Sequence, residues 1–277
     1  MTDLLLPGPL WLVGCGNMAG AMLAGWIEAG IDPAQVTVVR PSGREVGRGI
    51  RVLTAFPEDE VPAVVLLGFK PKTLDEVAPR LAPALEPETI LVSILAGVAQ
   101  ASLRARFPVP RTIAKAMPNL PVRLRKGVTN LHSDSRDAEA RARVERLMEA
   151  LGHAEWFEDE ALFQAAGILT GAGPAFLFRF IEALGQAGEA GGLAPEQALR
   201  LATAMVEGSA ALAAASEEGP RRLAQRVASP GGTTEAGLRV LDEAGALPEL
   251  VRRTIEAGRR RSLEMGAEAR AAEARSG

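Results

Sequence analysis

Short apolar runs alternate with amphipathic stretches through the first half of the chain. Residues 10–13, 35–39, 61–69, 89–95, 112–116, 128–131 and 154–157 are short and mostly apolar or β-branched, and the pattern predicts buried strands. Between them, residues up to about 29, 73–85, 100–107 and 137–151 carry helical spacing, the last with arginines and glutamates on its exposed face. The first of these helices ends at Gly30, a usual position for a helix-terminating glycine. Residues 45–59 are too few for a full crossover helix, so a trimmed second helical unit is expected there. Strand signals stop after about Glu158. Helices are then expected near 160–169, 174–189, 195–216, 220–228, 233–244 and 248–265, with Pro174, Pro195, Pro220 and Pro248 near helix starts. The end from Gly266, rich in alanine, glutamate and arginine, reads as a frayed tail. The pattern predicts an α/β half over residues 1–158, with a doubly wound and mostly parallel sheet, and an all-α half over residues 159–277.

One stretch organises the first half. Residues 9–27 run from strand through a glycine turn into a helix, and the turn reads G-x-G-x-x-A at Gly14, Gly16 and Ala19. This is close to the dinucleotide fingerprint of Rossmann-type folds. Gly14 would permit the tight turn, Gly16 the approach of a pyrophosphate, and Ala19 close packing of helix on strand. The helix N-terminus then offers free amides to phosphate. A glycine-rich turn alone is often only a turn; here its position between the first strand and first helix supports the cofactor reading. Ligands of doubly wound sheets bind at the carboxyl ends of strands. Those ends are Gly14–Met18, 40–42, 69–71, 96–97 and 117–119, which are expected to line one crevice.

An NAD-specific fold places Asp or Glu after the second strand. This chain has Arg40, Pro41, Ser42, Gly43 and Arg44, with no acid before Glu45. Arginine and serine suit a 2′-phosphate, which favours NADPH and leaves NADH possible. The alternative is a solvated, arginine-rich loop.

Composition narrows the picture. A chain of 277 residues can bury a substantial core as one large or two medium domains. The net charge of −3 gives no sign of a nucleic-acid or membrane-surface partner. The single cysteine, Cys15, excludes an internal disulfide and fits a reducing compartment, the cytoplasm. Residues 4–27 carry no charge, but glycines and prolines interrupt them and no basic leader precedes them, so they read as buried strand–turn–helix rather than a membrane span. Tyrosine is absent, and the two histidines, His132 and His153, fall in the sheet half and read as structural or surface residues. No cluster of His, Cys and carboxylates suggests a metal.

The helical half holds a second motif, Ser229-Pro230-Gly231-Gly232-Thr233-Thr234, opening a helix. Amides at Gly232, Thr233 and Thr234 with nearby hydroxyls would cradle a small carboxylate. The bland alternative is an ordinary helix cap by Thr233 or Thr234. The long apolar helices at 174–189 and 195–216 expose more than a small monomer needs, so a helical dimer interface is expected.

Residues 228–237 closely resemble the signature of pyrroline-5-carboxylate reductases. Gly14-Cys15-Gly16-Asn17-Met18-Ala19, Phe69-Lys70-Pro71, residues 92–98, Ala116-Met117-Pro118-Asn119 and Gly171-Ala172-Gly173-Pro174-Ala175-Phe176 resemble family blocks in order and spacing. The resemblance implies a Rossmann-type domain, a C-terminal helical dimerisation domain, and a homodimer often assembled into a decamer. It also implies NADPH-dependent reduction of (S)-1-pyrroline-5-carboxylate to L-proline, the last step of proline biosynthesis. Carried over by position, Ser229, Gly232, Thr233 and Thr234 would bind the substrate, and Thr234 or a water would hydrogen-bond the ring nitrogen. Glu160 would approach the substrate, or else be a first-turn helix charge. Gly14, Cys15, Gly16, Asn17, Met18, Arg40, Ser42, Arg44, Phe69, Lys70, Ala96 and Asn119 would bind the cofactor, with Cys15 packing rather than reacting. The block usually reads Ser-Gly-Ser-Gly-Pro-Ala-Tyr, and Thr170, Ala172 and Phe176 depart from it. Leu120 replaces a frequent threonine. No lysine follows Lys126, so the helical half lacks the lysine acid–base of hydroxyacid dehydrogenases. The other readings are reduction of a different cyclic imino acid, such as piperideine-2-carboxylate, and a cofactor-binding regulator without turnover.

Overall fold

Runs of valine and leucine with no side chain to solvent form the centre of a single sheet. The structure, a computed structural model, describes residues 6 and 8–276, and side chains as far as residue 267. The strands are β1 (Leu10–Val13), β2 (Val36–Val39), β3 (Arg51–Leu53), β4 (Val64–Leu67), β5 (Ile90–Ser93), β6 (Thr112–Pro118), β7 (Gly127–Ser133) and β8 (Gly152–Trp156). Their order is β3-β2-β1-β4-β5-β6-β7-β8. All neighbours pair in parallel except β6 and β7. Strands β1, β2, β4 and β5 are buried along their whole length, as a sheet covered on both faces requires.

The helices of this half are α1 (Asn17–Glu28), α2 (Leu74–Leu81), α3 (Gln100–Arg106), α4 (Ala138–Glu149) and α5 (Glu160–Gly167). One core cluster joins α1 and α4 to the sheet through Met22, Trp26, Val144 and Leu147. The Trp26 indole donates to the Leu147 carbonyl at 2.7 Å and ties the two helices together. A second cluster, including Trp11, Leu74, Leu81, Leu103 and Phe107, lies under α2 and α3. Asp137 caps α4 by accepting the amides of Glu139 and Ala140, and Asp159 caps α5 in the same way.

The expected trimmed helix between the second and third strands is absent. Residues 45–59 hold β3 instead. Gly43, Gly47, Arg48 and Gly49 all take positive φ, which breaks a helix before it starts. Three residues with Arg51 exposed left too weak an apolar signal for the strand to be read from the sequence.

A π-helical turn, Ile168–Ala172, continues α5. It leads into the helices α6 (Gly173–Ala190), α7 (Pro195–Ala215), α8 (Pro220–Val227), α9 (Thr233–Asp242) and α10 (Ala246–Ser276). The chain separates into two compact units: one runs to Ala172 and takes in the chain from Arg259, and the other is Gly173–Gly258. The last strand of the sheet ends at Trp156, but α5 and the π-turn pack on β6 and β7, so this separation falls later than the change of sequence texture after Glu158. The helix expected to end at residue 265 continues to Ser276; its alanine, glutamate and arginine are strong helix formers, and the frayed tail expected from Gly266 is helical backbone. Gly277 lies outside the described residues.

Within Gly173–Gly258 the pattern of burial is unlike that of the sheet. Helices α6 and α7 pack side by side where Gly185 meets Leu199 and Gly188 meets Ala198. Among the described residues of this unit only Gly185, Ala198 and Ala202 are buried. Phe178, Phe180, Leu201, Met205 and Leu212 are all exposed. One glycine and two alanines are no core, so this unit's apolar faces need a covering surface.

Candidate active site

Strand order reverses between β1 and β4, and a cleft of about 650 Å³ opens at that point. In doubly wound sheets the diverging loops leave such a crevice at the carboxyl ends of the strands. Its lining includes Gly14, Cys15, Gly16, Asn17 and Met18 after β1, Arg40 and Ser42 after β2, and Phe69 and Lys70 after β4. These nine are among the twelve residues proposed for the cofactor. Arg44, Ala96 and Asn119 do not line the cleft. The sequence reading did not single out Gly68 and Ile94, which do. A glycine closing the V-V-L-L run was the available signal for the first.

Gly14 has φ 81°, and a Cβ there would stand 3.0 Å from the Gly68 backbone and the Phe69 Cβ. Glycine is therefore demanded by the chain itself. Gly16 is different: its φ is −80°, and a Cβ would meet only the Gly68 oxygen, at 3.9 Å. Nothing in the chain's own packing requires glycine there. It caps α1 with no side-chain hydrogen bond, so the first amides of α1 stand open above a surface free of Cβ. That arrangement fits a pyrophosphate laid against the backbone.

Arg40 is half-buried at the cleft, and its amide donates to the Leu53 carbonyl, so β3 fixes where the arginine begins. Ser42 accepts the Arg44 amide at 3.4 Å, and both side chains are exposed. Burial pushes the Cys15 thiol up, against the opposing pull of the Arg40 charge, which fits a packing thiol rather than a nucleophile.

Asn119 is buried and its side chain is already engaged. Its amide nitrogen donates to the Thr170 carbonyl at 3.0 Å and its oxygen accepts the Val128 amide at 2.8 Å. Asn130 donates to the Thr170 hydroxyl at 2.9 Å, so Thr170 keeps the hydrogen bonding that the departures in its block put in question. Ala96 is exposed on the turn after β5.

Glu160 is likewise engaged. Its Oε1 accepts from Lys115 at 2.5 Å and from the Gln100 amide at 3.3 Å. Lys115, on β6, is only 5% exposed, and its ammonium also lies 5.2 Å from the centre of the Phe163 ring. Burial raises the Glu160 carboxyl, but the hydrogen bond and charge of Lys115 outweigh it, and with the Gln100 amide and the His132 charge they hold the group below the usual carboxylate range. Glu160 is thus an ionised anchor of the first turn of α5, unsuited to giving a proton. The lysine was missed because it sits inside an apolar strand. His132 is buried with Nδ1 2.9 Å from the Phe157 carbonyl, and His153 is exposed beside Glu155.

The second motif lies within the helical unit. Gly232 is the cap residue of α9, with extended backbone and no side-chain cap. Neither Thr233 nor Thr234 covers the open amides, so among the described residues the ordinary capping role is unfilled. Two expected details change. The Gly232 amide is not free, because it donates to the Ser229 carbonyl at 2.9 Å. The Gly231 amide, on a residue with φ 70°, donates to Glu235. The open donors are those of Thr233 and Thr234, beside the exposed Ser229.

The match to known proteins follows this division. The family description "Pyrroline-5-carboxylate reductase dimerisation" matches residues 160–265, and "NADP oxidoreductase coenzyme F420-dependent" matches residues 10–97. A pyrroline-5-carboxylate reductase of Pseudomonas aeruginosa is 36% identical over 260 residues, covering 91% of this chain and 95% of that protein. One from Aquifex aeolicus is 37% identical over 265 residues, covering 92% and 98%. The chain belongs to the pyrroline-5-carboxylate reductase family. The solved structure of a member from Coxiella burnetii superposes with a TM-score of 0.86 at 31% identity, covering 94% of this chain and 99% of that one.

As a member of the pyrroline-5-carboxylate reductase family the protein is an oxidoreductase acting on a CH–NH bond. It combines an N-terminal NADP-binding domain of Rossmann type with a C-terminal helical dimerisation domain. It is a homo-oligomer acting on a small molecule. That accounts for the missing core of Gly173–Gly258. By length and composition the helical stretches Glu160–Ala190 and Pro195–Ala215 could cross a membrane. In a homo-oligomer a second copy is what such apolar faces meet.

Proposed function

We propose that the protein reduces (S)-1-pyrroline-5-carboxylate to L-proline with NADPH, completing proline biosynthesis in the cytoplasm. The observation that carries this reading is the Pro-Gly-Gly-Thr-Thr loop with its uncapped amides, in a chain related over nine-tenths of its length to reductases named for that substrate. In this reading residues 1–158 are the dinucleotide-binding domain and residues 159–277 bind substrate and dimerise, with the dimer as the unit of a possible decamer.

Bound nicotinamide would supply the hydride. The chain's part is positioning and charge. The amides after Gly16 hold the pyrophosphate, and Arg40 with Ser42 takes the 2′-phosphate. The amides of Thr233 and Thr234 hold the substrate carboxylate, and the Thr234 hydroxyl hydrogen-bonds the ring nitrogen. A cyclic imine that arrives protonated is already electrophilic, so hydride transfer to its carbon yields the amine without an acid on the enzyme. Glu160, ionised and paired, fits that requirement.

NADPH oxidation followed with pyrroline-5-carboxylate tests the reading. Turnover with a six-membered imino acid and none with the five-membered one would transfer the function to the second substrate. No turnover with either would make the protein a cofactor-binding regulator.

The 2′-phosphate assignment gives a separate expectation. Replacing Arg40 by Ala removes a charge-assisted contact, worth about 1.5–3 kcal/mol. The KM for NADPH should rise about 10- to 100-fold, with a much smaller change for NADH. Arg44→Ala should have the lesser effect, since Arg44 lies outside the cleft. Equal losses for the two cofactors in steady-state kinetics would refute the assignment.

A further inference from the structure

The strand order runs β2-β1-β4-β5, so a dinucleotide with its 2′-phosphate at Arg40 and its pyrophosphate at the glycine turn extends toward β4 and β5. Its nicotinamide end falls on the β5 side. Ile94 follows β5 and lines the cleft there. The chain then makes a short turn, residues 95–99, with Ala96 and Gly97 exposed and Gly97 at φ 78°, before α3 begins at Gln100.

Both ends of this turn are pinned from outside it. At the near end the Ile94 amide donates to the Leu67 carbonyl of β4 at 3.2 Å. At the far end α3 has no side-chain cap of its own. Its first amide, that of Gln100, donates instead to Glu160 Oε1 on α5. The buried Gln100 side chain donates to the Ile113 carbonyl on β6 at 3.0 Å and to Asp134 at 2.9 Å. Glu160 is itself held. Asp159 caps the turn of α5 that carries it, and Lys115 reaches the same oxygen from β6.

We propose that Lys115 and Glu160 are positioning residues for hydride transfer, fixing the start of α3 and through it the turn of residues 95–99 against the nicotinamide end of the cofactor. The proposal rests on the reading of the cleft as the NADPH site. Stability does not account for the pair, because apolar side chains of similar size often match or better a buried ion pair. A lysine kept inside an apolar strand therefore points to a role that needs a carboxylate at one place. Asp159 already caps α5, so the amide left in want of an acceptor is the first of α3. Hydride transfer is sensitive to placement, since a displacement of about 1 Å can cost about 100-fold in rate.

The test compares two double variants in the full-length oligomer. Lys115→Met/Glu160→Leu removes the charges and the acceptor. Lys115→Met/Glu160→Gln removes the charges but keeps an amide oxygen able to accept from Gln100. Their melting temperatures should agree within a few degrees. The kcat with pyrroline-5-carboxylate should fall about 10-fold in the leucine variant and no more than about 3-fold in the glutamine variant. The KM for NADPH should stay within about 2-fold in both, because the phosphates anchor it elsewhere. Two readouts need no substrate. Amides of residues 95–101 in the cofactor-free protein should exchange hydrogen faster in the leucine variant only, and the emission of bound NADPH at saturation should change in that variant only. Equal kcat in the two variants, or exchange and emission unaltered in the leucine variant, overturns the proposal. A leucine variant melting far below the glutamine one overturns it too, since the acceptor would then serve folding. If pyrroline-5-carboxylate is not turned over, exchange and emission still decide. Gly16→Ala, titrated with NADPH, tests the underlying reading. If it loses NADPH while the two double variants behave alike, only the positioning role fails. If it binds NADPH as the original protein does, the cleft is not the cofactor site and both fall.

Discussion

Gly16→Ala is expected to keep the fold and lose the cofactor. The φ of −80° suits alanine, and the added Cβ meets nothing closer than the Gly68 oxygen at 3.9 Å. Exchanging glycine for alanine at a helix cap costs roughly 0.5–1 kcal/mol, so the melting temperature should fall by a few degrees at most. The methyl would stand where the pyrophosphate approaches the open amides of α1, and NADPH affinity should fall about 100-fold, a loss of about 2.7 kcal/mol. Gly14→Ala provides the contrast. There the φ of 81° and a Cβ 3.0 Å from the Gly68 backbone strain the folded chain directly. An L-residue in the left-handed region costs about 1–2 kcal/mol before any clash, so this variant should lose both stability and NADPH binding. Thermal melts with NADPH fluorescence titrations distinguish the two glycines. Unaltered NADPH affinity in Gly16→Ala would remove the phosphate turn from the site.

Glu160→Leu should destabilise the protein by about 2–3 kcal/mol. Removing one partner of a buried ion pair typically costs about 3–5 kcal/mol, because the other charge stays buried alone. Lys115 is that charge, 5% exposed, and the lower figure allows for the 38% exposure of the Glu160 side chain. The double variant Lys115→Met/Glu160→Leu removes both charges and should recover to within about 1 kcal/mol of the original protein, as apolar replacements of buried pairs do. The pair also predicts a pH dependence. The Glu160 carboxyl is held below its usual value, so its stabilisation is complete above the ordinary glutamate pKa of about 4.3 and is lost as pH falls through the lower folded value. The gap between the original protein and Glu160→Leu should therefore narrow on acidification below pH about 4. Denaturant titrations at pH 7 and pH 3.5 measure it. A double variant as unstable as the single one would show that Lys115 and Glu160 act separately.

These expectations draw on different sources. The strand–turn–helix at residues 10–28 and the Pro-Gly-Gly-Thr-Thr loop were legible because local rules govern them. A β-branched run, a glycine at a positive-φ turn and an opening helix are each written in contiguous residues. The helices of the second half were legible for the same reason. The strand β3 was not, since three residues with one exposed arginine carry almost no pattern and gain their structure from pairing with β2. The roles of Glu160 and Asn119 were also hidden. Their partners, Lys115 and Thr170, are 45 and 51 residues away in sequence, and only the sheet brings them together.

By itself, then, the sequence determined the two-part plan, the glycine turn after β1, the arginine-rich loop after β2 and the family signature. Each of these depends on short-range spacing. The tertiary structure decided which proposed residues face the cleft and which are turned inward. It placed Arg40 at the strand-order switch and left Arg44 outside it. It also gave Glu160 a buried lysine and put the Glu235 carboxylate on the Gly231 amide. The physical reason is that a side chain's availability depends on what the fold sets beside it, and neighbours in space are seldom neighbours in sequence.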